Sequence, residues 1–379
     1  MKYLLLFLSL ASVKIIKAQQ AFPVIRANSK SVTIKDGAFL DRNVWTLTPG
    51  ARPDVYTADR TRKTKWVVFY TDLDSIRVKV KPGSRYDFVI LLNGKDSCYT
   101  RIQSTITPEK IEQSMVKRHD TIPFTLTTYN AIGVKAIINE KDTLTMHFDV
   151  SSFDFRLTRD AVATKLNAAN KKVTSIRIAG LKWVNPEVVT TSFTAHEMDG
   201  RFGWNLFEGQ QVEINYDRNL LIVHSGKFPK VPRGYMKSKL NFIRSFVSIS
   251  GVVGLNGKNS SGDFILDTGA DQAMILDSAW AANQKLVEKL SLIKTLTFKD
   301  PRGAKYETKI VSVPTFTISG LSLRNVPGSI LGGRNPSGFD INFLGNDLLK
   351  RFNTILDFKN DVIYLKANTH FSLPYRHSS

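Results

Sequence analysis

The stretch Gly262 to Leu276 (GDFILDTGADQAMIL) carries an apolar strand, Phe264-Ile265-Leu266, straight into Asp267-Thr268-Gly269-Ala270-Asp271 and on to a second apolar segment. An earlier stretch, Leu144 to Thr158 (LTMHFDVSSFDFRLT), has the same order of parts, with Asp149 directly after a strand and small or polar residues behind it. An offset of 118 residues carries Asp149 onto Asp267, and Ala161 and Ala163 onto Ala279 and Ala281. A second pair of stretches repeats without a gap: Phe202 to Ser225 (FGWNLFEGQQVEINYDRNLLIVHS) and Leu344 to Ala367 (LGNDLLKRFNTILDFKNDVIYLKA). Here an offset of 142 carries Gly203 onto Gly345, so the second copy is longer between its two motifs. Self-similarity at fixed offsets marks a duplicated unit. The reading is two homologous halves, residues 119–232 and 233–372.

Outward from this repeat, short β-branched and aromatic runs dominate. Trp66 to Tyr70, Ile76 to Val80, Phe88 to Leu92 and Val362 to Leu365 read as strands, with turn signals at Pro82-Gly83, Asn93-Gly94, Asn256-Gly257 and Pro327-Gly328. Helical patterns are few, the best being Asp160 to Ala169 and Asp277 to Leu290. The class is mostly β. Residues 19–104 form a β-rich block of their own without a catalytic constellation, and the polar stretch 105–118 reads as a linker.

Met1-Lys2 followed by an apolar run from Tyr3 to Val13 has the form of a secretory signal, with cleavage expected after Ala18. That run is too short to span a bilayer, and the expectation is an exported protein, periplasmic or extracellular. Cys98 is the sole cysteine of the chain, so no intrachain disulfide can form and the fold rests on its core. With 42% hydrophobic and 23% charged residues, such a core is within reach.

The net charge is +20. Its Lys and Arg residues are scattered, without the clusters or modules of a nucleic-acid binder, so no nucleic-acid partner is expected. Contact with a cell surface or a glycan through the N-terminal block is the partner reading that remains. The histidines show no metal spacing, His196-Glu197 lacks a second histidine, and His147 reads as a packed or surface residue on the strand face of Asp149. No cofactor and no metal are implied.

Asp267-Thr268-Gly269-Ala270-Asp271, placed after Phe264-Ile265-Leu266, resembles the active-site turn of the pepsin and retropepsin aspartic proteases. In that family a later apolar-apolar-Gly strand packs behind the catalytic loop. Phe343-Leu344-Gly345 matches it, and Arg201-Phe202-Gly203 is its counterpart in the first half, with a polar first position. The resemblance spans residues 119–372 and implies a bilobal acid-protease β-barrel fold preceded by the β-rich N-terminal domain. It implies Asp267 and Asp149 as a catalytic pair acting on a peptide or protein, with Thr268, Gly269, Ala270, Ser151, Gly345 and Gly203 shaping the two loops. A hairpin tip at Asp300-Pro301-Arg302-Gly303 is the candidate flap.

The chemistry explains the residue types. Two adjacent carboxylates cannot both ionise, so they share a proton and titrate as a unit. One then acts as general base on water while the other donates to the substrate carbonyl. Glycine after Asp-Thr admits a tight turn against the facing loop, and in the family the threonine hydroxyl bonds across to the other lobe. The first half departs from this pattern. Val150 offers no hydroxyl, and Ser151 brings a Cβ where glycine is usual. Two outcomes are open: a dyad supported by Ser151 or Ser152, or a binding protein on the same scaffold without catalysis. Pairing of Asp267 with its copy in a second chain is disfavoured, because the first half occupies the partner's place, and a monomer is expected.

Overall fold

The computed structural model describes residues 22–376 apart from 43–44, 108–110, 113–118, 168–171, 193, 195–197, 225–228, 300–304 and 331–339. The expected signal at 1–18, most of the 105–118 linker, the Asp300–Gly303 tip and His196-Glu197 lie outside the described residues.

Alternation builds the N-terminal block. In Arg85–Leu92, Phe88, Ile90 and Leu92 point inward. The strand turns through Asn93 (φ 53°) and Gly94 (φ 66°) into Asp96–Ser104, and two successive left-handed residues are what a tight hairpin requires. Val24–Ala27 and Gly50–Ala58 complete a four-stranded sheet. A second four-stranded sheet holds Phe39–Asp41, Thr33–Asp36, Lys65–Tyr70 and Ser75–Val80 in that spatial order. The sheets share one core, in which Phe88, Ile90 and Ile102 of the first meet Ile34, Val67 and Phe69 of the second. Cys98 is 1% exposed within it, and burial pushes its thiol up.

The duplicated halves are built alike. Asp142–Asp149 runs parallel to Gly200–Gly203, against which Phe155–Thr158 lies antiparallel. Lys258–Asp267 likewise runs parallel to Asn342–Gly345, with Met274–Leu276 antiparallel to it. The register agrees at the key positions: Asp149 stands opposite Gly203, and Asp267 opposite Gly345. These strands belong to a nine-stranded sheet in the first half and an eight-stranded sheet in the second.

Both halves contribute three strands to one six-stranded sheet, ordered His119–Pro123, Leu220–His224, Gln211–Asn215, Phe352–Asp357, Val362–Ala367 and Met236–Lys239. At its centre Gln211 faces Asp357 and Ile214 faces Thr354. Exchanging the two copies maps this pair of strands onto itself, so the sheet carries an approximate two-fold axis. A single apolar cluster runs through both halves, including Phe148, Phe202 and Trp204 with Phe264, Leu344 and Leu356. The Trp204 and Phe358 rings meet across the halves at 5.2 Å.

Arg60 pins the N-terminal sandwich to this pair. Its guanidinium donates to Glu208 in the first half and to Asp361 in the second, each at 2.8 Å, and lies 4.0 Å from the centre of the Phe242 ring. Trp204, 5.6 Å away, helps enclose it.

Two sequence expectations are corrected. The helices are shorter than their patterns: Arg159–Thr164 begins at a Thr158 cap, and Ser278–Asn283 at an Asp277 cap. Lys285 takes φ 56°, a left-handed conformation that stops the second helix well before Leu290. Pro327-Gly328 is not a turn but lies inside the buried strand Leu321–Ile330. At Pro327 that strand has a neighbour on one side only, since its pairing with Met274 begins at Gly328. A missing N–H is tolerated there. Among the described residues no helix is long and apolar enough to cross a membrane.

Candidate active site

Each half ends a core strand on an aspartate and turns at once, and the two turns meet. Asp267 Oδ1 accepts the N–H groups of Gly269 at 2.9 Å and Ala270 at 3.1 Å. Asp149 Oδ1 accepts the Ser151 N–H at 2.9 Å. The Ser151 hydroxyl lies 2.8 Å from Asp149 Oδ1 and 3.1 Å from Asp267 Oδ1. One hydroxyl therefore touches both carboxylates, and its single proton serves one of them at a time.

Thr268 provides the link between the turns. Its buried hydroxyl accepts the Val150 N–H at 2.9 Å and donates to the Phe148 carbonyl at 3.1 Å, both in the opposite half. Val150 occupies the matching place in the first half and returns no such bond, so the grip works from one side. Thr268→Val should lower stability by about 1–3 kcal/mol, because the buried Val150 N–H loses its acceptor. Thr268→Ser should recover most of that loss, and urea midpoints of the two variants check it.

The glycines are required by close approach. A Cβ on Gly203 would stand 1.9 Å from the Ser152 carbonyl oxygen, and one on Gly345 2.0 Å from that of Gln272. The strands behind the turns thus touch their backbones in both copies. At Gly269 a Cβ would crowd three groups at once: His147 Cε1 at 3.1 Å, Asp267 Oδ1 at 3.2 Å and Asp149 Oδ2 at 3.3 Å. Both carboxylates thus stand close to one glycine.

Burial pushes the Asp267 carboxyl up to about 6, and the neighbouring Asp149 charge adds to the rise. The Gly269 N–H, the Ser151 hydroxyl and His147 oppose it. At pH below about 6 the site therefore holds a proton that an isolated aspartate would have released.

The structure brings together all the residues singled out from sequence: Asp149, Ser151, Asp267, Thr268, Gly269 and Ala270 at the meeting point, with Gly203 and Gly345 directly behind. It adds some that the sequence did not mark. His147 is buried, with Nε2 3.3 Å from the Thr268 carbonyl oxygen, where a ring N–H would donate. Its packed character was expected, but its partner in the other half was not. Lys350 Nζ donates to Asn130 Oδ1 at 2.9 Å, and Arg376 reaches the Thr128 carbonyl at 2.6 Å while lying 4.0 Å from Asp271. The Lys350–Asn130 bond joins the halves, and Arg376, just past the second half, reaches both Thr128 of the first and Asp271 of the second.

Neither a family model nor a curated protein matches this sequence.

Proposed function

We propose that the chain is an aspartic-type endopeptidase of the pepsin and retropepsin kind, hydrolysing peptide bonds between its two halves. What supports the reading is the convergence of the two repeat-related aspartates on one hydroxyl, Ser151 Oγ, at 2.8 and 3.1 Å. A surface loop has no reason to bury two carboxylates against each other, because each raises the free energy of ionising the other.

The chemistry follows from that pair. With one proton between them, the ionised carboxylate takes a proton from water as the water oxygen attacks the peptide carbonyl carbon. The protonated carboxyl gives its proton to the carbonyl oxygen. The tetrahedral adduct then collapses with proton transfer to the departing amine, leaving an acid, an amine and the dyad as it began. The substrate is a peptide or protein segment, acted on by a monomer that leaves the cytoplasm, in keeping with the apolar run at residues 3–13.

Cleavage of a diverse peptide pool, followed from about pH 3 to about pH 8, tests this. The expected profile is bell-shaped, falling in acid where the base carboxylate is protonated and falling again as pH rises through about 6, where the pair loses its shared proton. A folded protein without turnover at any pH would overturn the proposal. It would support the second reading, a peptide-binding scaffold in which Ser151 fills the space between the carboxylates. The double variant Val150→Thr, Ser151→Gly separates the two: turnover arising only in the double variant favours the scaffold, and an unaltered robust rate favours the enzyme.

A further inference from the structure

The outward face of the second sheet of the N-terminal sandwich has a composition that neither core nor solvent exposure calls for. Residues of its four strands alternate, so those facing away from the core are Leu40, then Thr33 and Lys35, then Trp66, Val68 and Tyr70, then Ser75, Arg77 and Lys79. Pairing sets them in rows: Leu40, Lys35, Val68 and Arg77 lie across the sheet in one line, with Trp66 beside Lys79 and Thr33, Tyr70 and Ser75 on either side of it. Trp66 is 44%, Leu40 40% and Tyr70 39% exposed. Large apolar side chains left in water together on one sheet face mark a contact surface.

The charge on this face has one sign. Lys35, Arg77 and Lys79 are exposed, and none has a carboxylate partner among the described residues. The two acidic residues of these strands, Asp36 and Asp41, point into the core side and are buried. In the turn between the last two strands, Asp74 is held by Arg26 at 3.0 Å, and Asp72 accepts the Asn28 and Ser29 N–H groups. The acidic residues of these strands and of this turn are thus buried or confined to the turn, and among the described residues none pairs with Lys35, Arg77 or Lys79. From strand spacing, Lys35 and Arg77 are about 10 Å apart and Arg77 and Lys79 about 7 Å apart, the scale on which a charged polysaccharide repeats its acidic groups.

The aromatic arrangement narrows the partner. Arg77 lies 4.2 Å over the Trp66 ring, so the guanidinium already covers that face. Single-stranded nucleic acid binds on runs of open rings, and here Tyr70 alone is uncovered. A sugar polymer needs one apolar platform and spaced cations, which is what the face supplies.

We propose that this sheet face binds an anionic polysaccharide, its carboxylate or sulfate groups on Lys35, Arg77 and Lys79 and its ring faces against Tyr70 and the neighbouring Val68. The site lies on a different domain from the aspartate pair, and its function does not depend on catalysis.

Titration of the full chain with polygalacturonate and heparin tests it, with dextran, oligothymidylate and phosphatidylglycerol vesicles as comparisons. Both anionic glycans should bind and dextran should not. The double variant Arg77→Ala, Lys79→Ala and the single variant Tyr70→Ala should each weaken polygalacturonate binding about tenfold. Lys237→Ala with Lys258→Ala, two exposed cations elsewhere, should leave it nearly unchanged. A Tm equal to the parent's shows that each variant is folded, and Lys35→Ala gives one with no aromatic contact to lose. Equal losses in the Lys237, Lys258 control, tighter binding of oligothymidylate or vesicles, or no binding of either anionic glycan would each overturn the proposal.

Discussion

Asp267→Asn should abolish peptide cleavage, lowering kcat by about 10²–10⁴-fold or more, while the protein stays folded. The amide keeps the shape of the carboxyl and can still accept the Gly269 and Ala270 N–H groups through its oxygen. It can neither hold nor release the shared proton. Asp149→Asn should do the same, because neither partner alone supplies both a base and an acid. Loss in one variant only would mean that the aspartates do not act as a pair. The measurement is initial rate at the pH optimum of the parent, with CD and Tm taken on the same samples.

The same substitution carries a stability signature that separates chemistry from misfolding. Asp267 has its folded value raised to about 6 from an ordinary 3.8. The folded state therefore binds this proton more tightly than the unfolded chain does. Below the unfolded value the group costs nothing, and between the two values ionisation progressively destabilises the fold. At neutral pH the parent therefore gives up stability at this position that it keeps in acid. Asp267→Asn removes that loss. Its stability advantage should be present at pH 7 and shrink as pH falls toward about 4. An advantage that is independent of pH would show that the carboxyl does not titrate as argued.

How far the site could be read from sequence depended on which interactions stay within a repeat. Alternation and turn chemistry sufficed for Arg85–Leu92 and Asn93-Gly94, and apolar runs for the strands entering Asp149 and Asp267, because those signals act within a few residues. The offsets of the repeat aligned Gly203 with Gly345, and the resemblance to the aspartic proteases implied their place behind the turns. Contacts between copies were another matter. That Ser151 would reach Asp267, or His147 the Thr268 carbonyl, depends on how the halves face each other, and no local pattern encodes it. Pro327-Gly328 misled for a related reason: its turn propensity is real, but burial of this part of the strand and its pairing with Ser312 and Val311 overrode it. Arg376 and Asp271 lie too far apart in the chain, and in too ordinary a context, for any pairing to be read.

Gly345→Ala should be the most destabilising small substitution in the second half. The added methyl would stand 2.0 Å from the Gln272 carbonyl oxygen and 3.0 Å from that of Ala270. Both obstacles are backbone, so no rotamer change can relieve them. Those same carbonyls lie in the turn whose N–H groups hold Asp267. Relief therefore means moving either the strand or the Asp267 turn. Overpacking of a well-filled core costs about 1–3 kcal/mol even where side chains can give way, and here about 3 kcal/mol or more is expected, a fall in Tm of about 4 °C or more for a chain of 379 residues. Gly203→Ala should behave alike, with 1.9 Å to the Ser152 carbonyl. Gly50→Ala, where nothing lies within 4 Å, should change Tm little and serves as the control. If Gly345→Ala left Tm unchanged, the strand would not press on the turn. If it lowered activity without lowering Tm, the strain would be absorbed by the turn, and Gly345 would act by holding Asp267 in place.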